Sequence, residues 1–132
     1  MVIDTSALIA ILNNEPESRS LQAAMASAAE VRISAATLVE AAIVADNRRD
    51  PIPGRGLDDL LRRTGTVVEP VTAEQASTAR TAHRDFGRGS GHPARLNFGD
   101  CFAYALAKVL DEPLLYKGDD FGHTDVRSAL GH

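Results

Sequence analysis

Four short apolar stretches constrain this chain more than any other feature: "MVID" at 1–4, "VRIS" at 31–34, "TVVEPV" at 66–71 and "PLLY" at 113–116. Each has the length of a strand rather than a helix. Between them lie stretches with helical composition or spacing, at 5–13, 18–30, 36–47, 57–63, 73–86 and 96–110. Strands separated in this way cannot pair through tight hairpins. They need crossovers, so the pattern predicts a parallel α/β sheet with helices on both faces. Pro70 lacks an amide donor and places the third strand at an edge or a strand end. In such sheets ligands gather beyond the carboxyl ends of the strands.

The connections are marked by turn formers: Asn13-Asn14-Glu15-Pro16, "DPIPG" at 50–54, "GRGSGHPA" at 87–94 and "KGDDFG" at 117–122. The glycines at 87, 89 and 91 follow a helix and lack GxGxxG spacing, so a dinucleotide fingerprint is not expected. With 132 residues, no internal repeat and no composition break, one domain spanning 1–132 is expected. Hydrophobic residues make up 44% and Trp is absent, so the core must be aliphatic.

Cys101 is alone, which removes an intramolecular disulfide and a cysteine-based metal cage. No basic segment precedes an apolar stretch at the start, and no run approaches the ~20 apolar residues of a membrane span. A cytoplasmic protein without membrane contact is expected.

The acidic residues carry the chemical signal. Asp4 ends the first strand at the carboxyl edge, where it can cap the next helix, serve a site, or do both. Glu40 falls on an apolar helical stripe with Ala36, Ile43 and Val44, a costly place for a charge unless it is partly exposed or paired, for instance with Arg48 or Arg49. Asn97 and Asp100 have the spacing of a capping pair at the start of the most apolar helix, 96–110. Asp119 and Asp120 follow the last strand in what reads equally as a surface turn. Asp119, nearer the strand, is the expected site residue, and Asp120 is expected to face water. If Asp4, Glu40, Asp100 and Asp119 converge, their repulsion requires a cation, and an all-oxygen donor set selects Mg²⁺ or Mn²⁺. One or two such ions activate water and neutralise a phosphodiester. Ser6 and Asn97 can orient a metal-bound water or a carboxylate, or simply cap. The four histidines have no ligand spacing and read as polar surface.

The net charge of −4 argues against a general nucleic-acid binder, but 80–95 holds four arginines (80, 84, 88, 95) against one acid, Asp85. Such a strip is either a solvated face or a phosphate contact, with Arg84, Arg88 and Arg95 as candidates.

Taken together, "MVIDTSAL", "TLVEAA" around Glu40, "LNFGDCFAYALAK" around Asp100 and "PLLYKGDDFGHTD" resemble the PIN-domain ribonucleases, and more narrowly the VapC-type toxins of bacterial toxin–antitoxin pairs. The resemblance spans the chain in order. It implies a three-layer α/β/α fold around a parallel sheet and a Mg²⁺-dependent endoribonuclease that inhibits translation and growth. It implies Asp4, Glu40 and Asp100 at the metal, Asp119 as a fourth acid, and Ser6 as a supporting hydroxyl. A VapB-like antitoxin, an RNA substrate and a homodimer are implied as partners. Two other readings remain. One is a different Mg²⁺ phosphohydrolase of the haloacid-dehalogenase type, which wants a second Asp where Ser6 stands. The other is a non-catalytic interaction module whose acids only cap helices.

Overall fold

The computed structural model describes residues 1–47 and 52–131. Arg48 and Arg49, considered above as partners for Glu40, lie outside the described residues, as do Asp50, Pro51 and His132. Strands β1 (Val2–Ile3), β2 (Arg32–Ser34), β3 (Val67–Glu69) and β4 (Leu114–Leu115) form one sheet in the order β3-β2-β1-β4. All three pairings are parallel, with Val2 opposite both Arg32 and Leu114. β3 is an edge strand ending just before Pro70, as the missing proline amide requires.

The helices are α1 (Thr5–Leu12), α2 (Ser18–Ser27), α3 (Ala35–Asp46), α4 (Ile52–Arg63), α5 (Ala73–Phe86) and α6 (Phe98–Leu110). α4 begins earlier than the breaker residues around "DPIPG" suggest. Pro53 falls in its first turn, where the missing N–H has no helical acceptor to lose. The "KGDDFG" turn passes into a single 3₁₀ turn at Phe121–His123, anchored by buried Phe121 against the Tyr116 ring.

The strands alternate sides, and this divides the core in two. Val2 and Leu114 point into one apolar cluster with α5 and α6, through Ala79, Ala82 and Leu106, and with Leu96 from the segment between those helices. Ile3, Ile33 and Leu115 point into the other, with Leu8, Leu21, Ala41, Leu57 and Leu60 from the first four helices. The result is the expected three-layer α/β/α arrangement. α6 is the densest element, burying Cys101, Ala103, Tyr104, Ala105, Leu106 and Ala107. α3 departs from expectation. Its buried positions are Thr37, Ala41 and Ala45, while Val39 and Ile43 are more than half exposed. The stripe carrying Glu40 therefore lies at the surface of the single chain rather than in its core.

The free edge of β4 is covered by the C-terminal segment, where the Leu114 amide donates to Arg127 O at 2.8 Å and the Ala129 amide donates to Leu114 O at 2.9 Å. The Tyr104 hydroxyl donates to Asp125 Oδ1 at 2.5 Å and ties this segment to α6.

The chain runs from β1 outward to β2 and β3, then returns to add β4 on the other side of β1. The crevice between the carboxyl ends of β1 and β4 is the point where the winding reverses, and such points take ligands.

Because Leu106 is fully buried between helix and sheet, Leu106→Ala should cost about 2–5 kcal/mol in urea unfolding. Leu110→Ala on the same helix, at a partly exposed position, should cost under about 1 kcal/mol.

Candidate active site

Asp4 sits at the reversal point. Its amide donates to Leu115 O at 3.0 Å, so β1 is still paired with β4 at this residue. Its side chain then caps α1, accepting from the Ser6 amide at Oδ2 over 3.0 Å. Capping and site placement therefore coincide. The cap accounts for only one oxygen: Oδ1 is buried without a hydrogen-bond partner. The residue is 2% exposed, and its carboxyl is pushed up to about 7. Burial is the main cause, opposed by the Ser6 hydroxyl and amide and reinforced by the charges of Asp100 and Glu40.

Ser6 also accepts the Lys117 amide at 3.0 Å, which fastens the chain leaving β4 to the first turn of α1. The Lys117 ammonium pairs with Glu15 and, at 3.4 Å, with Glu17, closing the same corner.

Asp100 opens α6 through a reciprocal cap. Its amide donates to Asn97 Oδ1 at 2.8 Å, and its Oδ2 accepts the Asn97 amide at 3.0 Å. Both residues expected to cap do so, while the Asp100 charge still bears on Asp4. The Asp100 carboxyl is raised chiefly by burial, lowered by the Asn97 amide, raised by Asp120 and Glu40, and lowered by Arg88.

Glu40 comes from the third helix to meet these two. Its Oε1 accepts the Thr5 hydroxyl at 2.6 Å, and its carboxylate lies against Gly99 at the start of α6. Three carboxylates from three helices thus share one field at the carboxyl edge of the sheet, although Asp4, Glu40 and Asp100 are far apart in sequence. Among the described residues, no group of three or more His, Cys, Asp or Glu is gathered tightly enough to hold a metal ion as the side chains stand. The charged groups that bear on Asp4, those of Asp100 and Glu40, are nevertheless both carboxylates, the type that hard divalent ions take.

The charge of Asp120 bears on Asp100. Gly118, at φ 99°, turns the chain sharply after Lys117, and Asp120 starts the 3₁₀ turn that buries Phe121. Asp119 is exposed.

The three candidate arginines also separate. Arg88 follows an isolated bridge between Gly87 and Leu96, its amide donating to Leu96 O at 3.0 Å, and its charge reaches Asp100. Arg84 is exposed and paired with Asp85 at 3.6 Å, and Arg95 is an exposed loop residue at φ 51°. His92 is more than polar surface. Its Nδ1 accepts the Ala94 amide at 3.1 Å, and its ring meets Phe86 edge-on. Cys101 is buried with its thiol pushed up to about 11 by that burial, which makes it unreactive.

Comparison with known proteins bears on the family and the fold. Residues 1–127 match the PIN domain family. The chain is 56% identical over 130 residues, covering 98% of each protein, to Ribonuclease VapC28 of Mycobacterium tuberculosis and to VapC ribonuclease Mb0625 of Mycobacterium bovis. It is 49% identical over 129 residues, again 98% of each, to Ribonuclease VapC42 of M. tuberculosis. Among solved structures the fold is similar to M. tuberculosis VapC20, described as a sarcin–ricin loop cleaving toxin, with a TM-score of 0.73 at 20% identity over 95% of each chain.

The folded value of Asp4 lies above its ordinary 3.8, so the native state holds this proton more tightly than the unfolded chain does. Stability is therefore lost as pH rises from about 4 to about 7 and is not regained above that, a cost of about 4 kcal/mol. Asp4→Asn keeps a good cap and removes the charge. In metal-free buffer its melting temperature should exceed that of the wild type, with the gap widening by roughly 10 °C between pH 5 and pH 8. A gap that stays flat over this range would show that Asp4 carries no buried charge.

Proposed function

Since this chain belongs to the PIN-domain family, among its VapC ribonucleases, we propose that it is a divalent-metal-dependent endoribonuclease and the toxin of a toxin–antitoxin pair. One observation carries the metal dependence: a buried Asp4 oxygen has no hydrogen-bond partner, and the charges of Asp100 and Glu40 bear on the same carboxyl. A carboxylate that served only as a cap would have no reason to bury its second oxygen unpaired. The same feature weighs against a non-catalytic module. Ser6, standing where a haloacid-dehalogenase-type enzyme needs Asp, weighs against that alternative.

In this reading Asp4, Glu40 and Asp100 hold the ion, Mg²⁺ or Mn²⁺. When bound, the ion supplies an acidified water and neutralises the phosphodiester. Ser6 keeps Asp4 oriented through its amide and keeps the β4 exit in place through its hydroxyl. Asn97 holds Asp100 through the reciprocal cap. Arg88 brings positive charge beside the carboxylates, where an RNA phosphate must approach, and the exposed Arg84 and Arg95 extend that charge along the strand's path. Asp120, by its coupling to Asp100, is the better candidate for the fourth acid than Asp119.

The partners follow from the family. VapC20 is described as cleaving the sarcin–ricin loop, and a structure of similar fold is a toxin–antitoxin complex from Klebsiella pneumoniae, with a TM-score of 0.66 at 18% identity over 91% of this chain and 88% of that one. We assign this chain RNA as substrate, a VapB-like antitoxin as inhibitor and a second copy of itself as partner, acting in the cytoplasm to inhibit translation. Exposed Val39, Ile43 and Val44 on α3 and Phe98 on α6 offer apolar surface for such protein contacts. No helix among the described residues is long and apolar enough to cross a membrane.

Purified wild-type protein should cleave RNA with Mg²⁺ or Mn²⁺ and not after chelation. Asp100→Asn should lower the rate about 100-fold or more. Asp120→Asn should lower it roughly tenfold, and Asp119→Asn should stay within about twofold of wild type. Metal-dependent cleavage by Asp100→Asn at the wild-type rate, with contaminating nuclease excluded, would refute the proposal.

A further inference from the structure

We propose that Thr5 is the positioning residue for Glu40 and that Gly99 supplies the opening its carboxylate occupies; this deepens the metal-nuclease reading and rests on it for Glu40's role. The Thr5 hydroxyl has one proton and two acceptors in reach, Glu40 Oε1 at 2.6 Å and Thr37 O at 3.4 Å. The shorter contact to a charged oxygen takes the proton. Thr37 and Glu40 are one turn apart on α3, so this single hydroxyl fixes both the height and the rotation of that turn against α1.

The opposite side of the Glu40 carboxylate rests on α6. A Cβ at Gly99 would lie 2.7 Å from Glu40 Cδ and overlap Oε2 outright. Gly99 has an ordinary helical backbone, and Ala would be the better helix former there. Its lack of a side chain is thus explained by space rather than by conformation.

The two contacts have a common logic. Thr5 follows Asp4 and Gly99 precedes Asp100. The residues beside two of the acids therefore clamp the third, and the geometry of all three is set by the packing of α1, α3 and α6. The helical N-termini of α1 and α6 also direct partial positive charge toward the clamped carboxylate.

Thr5→Val removes the hydroxyl with little change in volume, Thr5→Ser keeps it, and Gly99→Ala adds only the obstructing carbon. With saturating metal, Thr5→Val and Gly99→Ala should each lower kcat for RNA cleavage roughly 10-fold or more, with KM for RNA within about twofold of wild type. Both should raise the Mn²⁺ concentration giving half-maximal thermal stabilisation by about the same factor, and Thr5→Ser should restore most of the loss. An unchanged kcat and Mn²⁺ midpoint in Thr5→Val, or a Thr5→Ser variant as impaired as Thr5→Val, would overturn the proposal. A double-mutant cycle of Thr5→Val with Glu40→Ala, which leaves no acceptor for the Thr5 hydroxyl at that position, read as melting temperature without metal, needs no activity. Non-additive shifts support the clamp, and additive shifts overturn it. RNA left intact by wild-type protein would defeat the nuclease reading alone, and the cycle would still decide Thr5.

Discussion

Everything at the carboxyl edge of this sheet depends on keeping one carboxylate, Asp4, out of water. Burial raises the cost of its charge, and Asp100 and Glu40 raise it further. The fold meets that cost only in part, through the Ser6 cap on one oxygen. β1 can deliver Asp4 to this position because it is a central strand, hydrogen-bonded on both sides and covered on both faces. An edge strand would leave the same residue solvated and its charge ordinary. The unmet part of the cost is what the proposed cation would relieve.

Structural and chemical roles are superimposed here rather than alternative. Asp4 caps α1 and faces the acid cluster, and Asp100 closes a reciprocal cap with Asn97 and couples to Asp4. The overlap has a physical reason. A helix start after a parallel strand presents free amides at the carboxyl edge of the sheet, and an acid that satisfies them is already at the place where ligands bind. The two roles divide the carboxylate between them, with one oxygen for the amides and one for the site. Arg88 shows the complementary device, a loop cation held beside the acids by the pairing of Gly87 with Leu96.

Much of this was legible in the linear chain. The four strands, the parallel order and the three-layer arrangement followed from short apolar runs separated by helical lengths, because hairpins are impossible across such gaps. Asp4 and Asp100 were recognisable from their positions at element ends. Glu40 was recognisable as a charge on an apolar stripe, although the reason was different from burial. The stripe is exposed on the single chain, and Glu40 is held by Thr5. The earlier start of α4 was hidden by Pro53, a residue type that usually breaks helices but is tolerated in a first turn.

Local pattern determined which residues form strands, which acids end them and which side chains cap the helices that follow, since each depends on neighbours within a turn or two. Only the packed structure decided that the charges of Asp120 and Arg88 bear on Asp100, and that Thr5 and Gly99 hold Glu40. Each of these turns on a rotation of one residue or a gap of one carbon between helices distant in sequence. Such distances are set by the burial of Phe121, the pairing of Gly87 with Leu96 and the contact of α1, α3 and α6, none of which is encoded by spacing alone.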